Sequence, residues 1–200
     1  MKNFILFLSL FSVAFYSCEQ KAPAEKSLSD SSKVNVVNLV QELSVLQDSM
    51  AFLLTEIHEL DTAKFAQQKR LVAMIAHMSS PVSRAEIKSA EALLTNLNDY
   101  PGMEVMVKAQ SILSAYDADS DSLLSVTNRM LAKVKKSDAL HELEISIAEK
   151  DNRSIVLRFN YDELAKRYNI ILEKNQEILM KSDSTKFGKT VPLFQAENPS

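Results

Sequence analysis

Residues 138–181 read DALHELEISIAEKDNRSIVLRFNYDELAKRYNIILEKNQEILMK and contain neither glycine nor proline. Apolar and aromatic side chains recur in them mostly at steps of three or four, the spacing that places residues on one face of an α-helix. The pattern predicts one long final helix, roughly 65 Å at 1.5 Å per residue. Its buried seam is expected to consist of Leu140, Leu143, Ile147, Leu157, Tyr161, Leu164, Tyr168, Ile171 and Ile178.

The rest of the chain shows the same periodicity and few turn residues. Only 2 glycines and 5 prolines occur in 200 residues, whereas β-sandwiches and α/β folds use both residue types in their many tight turns. Helical seams are expected over 34–78, 83–97 and 103–116, and again after 121. We therefore predict an all-α fold, an elongated up-and-down helical bundle of about four long helices.

Several boundaries follow from local signals. The first seam weakens at Asp61–Lys64, which indicates either one helix whose seam changes register or two helices that meet at a kink. Ser83 and Glu86 have the spacing of a capping box at the start of the next helix. The acidic stretch Asp117–Asp121 is expected to separate two helices. A strand-like alternation of apolar and polar residues occurs only at Lys189–Phe194.

The N-terminus has the features of a bacterial lipoprotein leader. Lys2 is followed by an apolar run, Phe4–Tyr16, of about 13 residues, which suits a signal-peptide core and is too short to span a membrane. The small residue Ser17 and the only cysteine, Cys18, follow it. Residues 1–17 are therefore predicted to be a signal peptide, and Cys18 to carry acyl chains such as palmitate that hold the protein on a membrane.

The predicted organisation has two further parts. Residues 18–33 are rich in serine, alanine and charged residues and are expected to be a flexible tether. Residues 34–200 are expected to form the helical bundle. This places the domain in the bacterial cell envelope, facing the periplasm or the outside.

Composition argues against several function classes. With 23 basic and 26 acidic residues the net charge is −3, so nucleic acid is not an expected partner. No cofactor and no metal are predicted, because the three histidines are not at metal-ligand spacing and Asp117, Asp119 and Asp121 lack the Gly and Glu that complete a calcium loop. No catalytic motif is present either, and the chain is expected not to be an enzyme.

One segment of the last helix combines costly polar groups with aromatic rings. Arginine and asparagine are costly to bury in a helical seam unless they are paired, so these side chains are expected to meet partners on neighbouring helices. We predict a structural interhelical cluster; a ligand cleft built from the same groups is the alternative. Its members are Asn152, Arg153, Arg158, Tyr161, Tyr168 and Asn169.

These six residues resemble a motif of the LemA family of envelope-associated bacterial proteins, N-R-x4-R-x2-Y-x6-Y-N, here without a gap. Phe187-Gly188 is similar to an aromatic-glycine element that follows the motif in the family, and Tyr100-Pro101 to a Tyr-Pro midway along it. Many members are held by an N-terminal transmembrane helix, where this chain has Cys18. The resemblance implies a divergent, lipoprotein form: an extended helical bundle at a membrane, without established catalytic activity.

Two functions follow from these features. The first is a non-enzymatic lipoprotein that acts as a scaffold or adaptor at the membrane, with other envelope proteins as partners. The second is a binding module that holds a small ligand or peptide between helices, lined by Arg153, Arg158 and Tyr161.

Overall fold

The computed structural model describes residues 28–78, 81–183, 187 and 189–195, and within these the chain forms six α-helices and no strand. The all-α bundle is therefore confirmed. The helices are α1 (Leu28–Ala76), α2 (Arg84–Asp99), α3 (Met103–Lys108), α4 (Gln110–Leu131), α5 (Asp138–Lys174) and α6 (Gln176–Asp183). Four of them, α1, α2, α4 and α5, have 16 to 49 residues.

The helix directions alternate along the chain. On α1 and α5, Gln67 donates to Ser146 and Gln47 donates to Tyr168, so residue numbers rise on one helix as they fall on the other and the pair is antiparallel. Helix α4 runs parallel to α1, because Asp61 contacts Tyr116 and Lys64 contacts Ser120. Helix α2 is antiparallel to α4. The result is the up-and-down order expected of a bundle.

Helix α2 begins where the capping box predicts. The Ser83 hydroxyl accepts from the Glu86 backbone, and the Glu86 carboxylate accepts from the backbone N–H of Ser83. Hydrogen bonds from Lys133 and from Ser83 lower the pKa of Glu86 to about 2. The carboxylate is therefore charged at neutral pH, and it links the start of α2 to the residues that follow α4.

Helix α1 is continuous through Asp61–Lys64, which decides between the two readings of its seam. The apolar pattern weakens there because Asp61 and Lys64 are themselves buried, at 2% and 5% exposure. Residues 28–33, assigned to the tether from composition, belong to this helix. The leader, Cys18 and tether residues 18–27 lie outside the described residues.

Two predicted boundaries are wrong. Asp117–Asp121 lies inside α4 and breaks no helix; the chain instead breaks at Ala109, whose backbone leaves the helical region at φ −126° and ψ 83°. This change of direction lets α3 bury Met103, Met106 and Val107 while α4 buries its own apolar face. Alanine favours helix strongly, so the sequence contains no local signal for this break.

The predicted final helix is also divided. It is interrupted at Asn175, whose side-chain amide donates to the Ile171 carbonyl. Beyond the interruption Leu179 is buried, seven residues after buried Leu172, and Ile178, expected in the seam, is 48% exposed. The remaining seam faces the core: Leu140, Ile147, Tyr161 and Tyr168 are buried, and Leu143, Leu157, Leu164 and Ile171 are partly buried against them.

Candidate interhelical site

A buried carboxylate at the middle of α1 lies at the centre of the polar contacts. Asp61 Oδ2 accepts a hydrogen bond from the Tyr116 hydroxyl at 2.7 Å and lies 3.4 Å from Arg158 Nη2. Asp61 Oδ1 lies 3.3 Å from Lys64 Nζ, one turn along the same helix. The carboxylate thus joins α1 to α4 and α5.

The two cations in this network each contact a second carboxylate. Arg158 Nη1 donates to Asp117 Oδ1 at 2.7 Å, and Lys64 Nζ donates to Asp151 Oδ1 at 2.9 Å. Three carboxylates and two cations therefore alternate across α1, α4 and α5. Buried charges need such pairing, since an unpaired ion in a low-dielectric interior is costly. We call Asp61, Lys64, Tyr116, Asp117, Asp151 and Arg158 the charge network.

The surroundings of Tyr116 and Arg158 keep each of these two groups in one protonation state. Burial, followed by the charge of Asp61 and their hydrogen bond, raises the pKa of Tyr116 far above its ordinary 10, so the phenol stays a donor. Burial lowers the pKa of Arg158, but the charge and hydrogen bond of Asp117 outweigh it and the net change is upward. Neither Tyr116 nor Arg158 therefore changes its protonation state near neutral pH.

Aromatic rings enclose the network. The ring of Tyr116 makes edge contacts with Phe65 and Tyr100, and the Tyr100 hydroxyl donates to Asp119 at 3.2 Å. The Arg158 guanidinium lies 5.1 Å from the centre of the Phe194 ring, within the range of a cation–π contact. Asp117 and Asp119, read from the sequence as part of a helix break, therefore hold side chains of α5 and of the turn before α3.

Residues 191–195, which we call the C-terminal strap, are bound to α5 by hydrogen bonds between the strap's backbone and side chains of the helix. Asn169 donates to the Val191 carbonyl and accepts from the Val191 N–H, at 2.8 and 2.7 Å. Asp162, which is 4% exposed, accepts from the N–H groups of Phe194 and Gln195 at 2.7 and 3.1 Å. The strap alternates in sequence, but it pairs with side chains of a helix and not with a strand.

The strap also reaches α4. Gln110 donates to the Leu193 carbonyl at 2.8 Å, and the Tyr161 hydroxyl donates to the Pro192 carbonyl at 3.3 Å. Burial, with the charges of Asp162 and Glu104, raises the pKa of Tyr161 to about 12, so this phenol also remains a donor. The strap thus fastens the start of α4 to the middle of α5.

Four of the six residues predicted for the cluster bond to other elements of the fold. Arg158, Tyr161 and Asn169 contact the charge network or the strap, and buried Tyr168 accepts from Gln47 of α1 at 3.0 Å. Asn152 and Arg153 are exposed; Arg153 lies 3.6 Å from Glu56 at the surface. Of the predicted six, Tyr161 and Tyr168 are buried and Arg158 and Asn169 are half-buried, whereas the two residues at the N-terminal end lie outside the site.

Sequence reasoning missed the acidic partners. Asp61 could have been found from the weak point in the apolar seam of α1. Asp117 could have been found from the repeated acidic positions of α4. Nothing in the sequence marks Asp162, which follows Tyr161 in a helix that has many other charged residues.

Replacing Asp162 by alanine is expected to free the C-terminal strap. The change removes two hydrogen bonds to the backbone of the strap, each worth about 1–1.5 kcal/mol net, so we expect a loss of about 2–3 kcal/mol in the free energy of unfolding. Amide hydrogen exchange should show faster exchange at Phe194 and Gln195. Glu163→Ala, at the neighbouring exposed position, is the control and should leave both amides protected; equal exchange in the two variants would contradict the role of Asp162.

Within the described ranges, no three His, Cys, Asp or Glu side chains are grouped to hold a metal ion. None of the described helices combines the length and the apolar composition needed to cross a bilayer.

No protein-family model, curated protein or solved structure matches this chain.

Proposed function

We propose that the protein is a non-enzymatic lipoprotein of the cell envelope, a divergent LemA-like helical bundle that acts as a scaffold or adaptor at the membrane. The signal-peptide pattern and Cys18 support the anchor, and the motif from Asn152 to Asn169 supports the family. The sequence contains no catalytic motif, which supports a non-enzymatic role.

The observation that best supports a scaffold is a set of large apolar side chains left exposed on a bundle that buried ion pairs hold together. Charged side chains of the network are inside, where they fix the helices against one another, while large apolar side chains lie outside. Ile155 and Phe159, one turn apart on α5, are 60% and 59% exposed. Exposed apolar groups on a rigid surface are typical of protein–protein contact sites.

The bonding pattern of the polar groups favours this reading over the ligand module. Arg158 and Tyr161 are two of the three side chains proposed to line a ligand cleft. The two terminal nitrogens of Arg158 contact Asp117 and Asp61, and the Tyr161 hydroxyl donates to Pro192. A ligand would have to displace these partners. The third, Arg153, is at the surface.

Photo-crosslinking in intact cells tests the scaffold. A photoreactive residue at Phe159 is expected to form a covalent adduct with a different envelope protein, identified by mass spectrometry. The control position is Lys88, which is exposed on α2, and it should give no such adduct. Adducts absent at both Phe159 and Ile155 would contradict the scaffold.

A further inference from the structure

A shallow groove runs along one side of the α1–α5 pair. It is lined from α1 by Val45, Ser49 and Phe52, and from α5 by Asn160, Leu164 and Arg167. Val45 and Phe52, two turns apart, are 57% and 64% exposed, and Val156, one turn before Asn160, is 56% exposed. The groove therefore has an apolar centre formed by both helices, which we call the α1–α5 face.

The charges on the two sides of this face are segregated. From Val36 to Leu60, α1 has four carboxylates, Glu42, Asp48, Glu56 and Glu59, and neither lysine nor arginine. On the α5 side, Arg153 and Arg167 extend to the surface, with side chains 65% and 63% exposed. The groove-lining carboxylate Glu163 lies 3.5 Å from Lys166. The exposed charges from Arg153 to Arg167 are therefore three cations and one carboxylate, a net positive edge. Each arginine contacts one carboxylate of α1, Glu56 or Glu42. Asp48 and Glu59 remain on the acidic edge, and both are exposed.

We propose that the α1–α5 face binds a second copy of this chain, to give a two-fold dimer whose axis runs parallel to the two helices. With that axis, each α1 packs on the partner's α5, so an acidic edge meets a basic one. An axis perpendicular to the helices would instead place α1 on the partner's α1, acid against acid. The segregation of charge thus selects both the partner and the symmetry.

The size of the face suits a stable dimer. Residues 36–60 of α1 span about 36 Å, and two adjacent helices are about 20 Å wide. The face thus covers roughly 700 Å² per copy, or about 1,400 Å² in total, and specific interfaces begin at about 1,200 Å². The four helices would form an antiparallel bundle with Phe52 near its centre and Val156 toward one end.

The proposed symmetry also places both N-termini at the same end. Two chains anchored through Cys18 in one membrane could therefore form this dimer without either one turning over. The dimer itself rests on the α1–α5 face and not on the anchor, so each proposal can fail without the other.

Sedimentation equilibrium of the full chain in mild detergent tests the dimer. We expect a dimer, and for Phe52→Glu a dissociation constant raised at least about tenfold, because a charge would be buried without a partner. Ile155→Glu is the matched control: Ile155 is 60% exposed, but it lies about 100° around α5 from Val156 and about 140° from Asn160, and the change should leave the dimer intact. A monomeric wild-type chain, or equal effects of the two variants, would overturn the proposal.

A charge exchange tests the symmetry without changing the apolar centre. The pairs Gln47–Tyr168 and Lys64–Asp151 set the relative height of α1 and α5, which places Glu59 within about one turn of the partner's Arg153. Glu59→Lys and Arg153→Glu should each weaken the homodimer, whereas a mixture of the two variants should form a heterodimer with both pairs restored. No recovery on mixing would rule out the parallel axis, and circular dichroism of each variant confirms that it is folded.

Discussion

Replacing Arg158 by alanine is expected to lower the free energy of unfolding by about 3 kcal/mol, at the lower end of the range for breaking a buried pair. The guanidinium is 21% exposed and contacts both Asp61 and Asp117. Its removal leaves the Asp61 carboxylate, 2% exposed, with Lys64 as its remaining cation. Urea unfolding followed by circular dichroism measures the loss.

A second arginine on the same helix provides the control. Arg153 is 65% exposed and its one ion pair, with Glu56, spans 3.6 Å. Surface pairs of this kind contribute little, so Arg153→Ala should change the free energy of unfolding by less than about 0.5 kcal/mol. If both alanine variants lose the same stability, the charge network does not hold the bundle together.

A double-mutant cycle separates Asp117 from Asp61. Asp117→Asn is expected to weaken the 2.7 Å contact to Arg158 while it leaves the contacts of Asp61 in place. Coupled residues show interaction energies of about 0.5–3 kcal/mol, whereas independent ones add. The stability loss of Asp117→Asn combined with Arg158→Ala should therefore be clearly smaller than the sum of the single losses.

Replacing Cys18 by alanine is expected to release nearly all of the chain from the membrane fraction. Each buried CH₂ of an acyl chain contributes about 0.8 kcal/mol, and more than one chain gives stable anchoring. Without the thiol no acyl chain can be attached. Immunoblots of membrane and soluble fractions measure the change.

The matched control alters the preceding position. Ser17→Ala keeps a small residue before the cysteine, so the chain should remain in the membrane fraction. Retention of Cys18→Ala on the membrane, including retention through an uncleaved leader, would contradict the lipid anchor.

Much of the fold could be predicted from periodicity. Leu140, Ile147, Tyr161 and Tyr168 are buried as their spacing indicates, because a helix that packs along its length repeats its buried positions every three or four residues. Ile178 is exposed because the adjacent Leu179, seven residues after buried Leu172, takes the buried position. Spacing of three or four residues does not choose between two neighbouring apolar side chains.

The candidate site was only half predictable. Arg158, Tyr161, Tyr168 and Asn169 could be found because they lie close together on one helix and are costly or distinctive there. Their partners are on other elements: Asp117 is 41 residues from Arg158, and Asp61 is 97 residues away. Pairing over such separations depends on how the helices stack, and local spacing does not encode it.

The positions of the acidic residues in the fold were the hardest to predict from the sequence. Asp117 and Asp119 resemble a turn when they are read along the sequence, since neighbouring carboxylates are more common in breaks than in helices. In the structure Arg158 and Tyr100 bind them, so the helix continues. Polar residues with tertiary partners override their local preference.

The measurement that tests the anchored bundle most directly is the intact mass of the chain purified from the envelope. We predict a chain that begins at Cys18 and whose mass exceeds that of residues 18–200 by acyl groups on this cysteine. A chain that begins elsewhere, or one whose Cys18 retains a free thiol, would contradict the account.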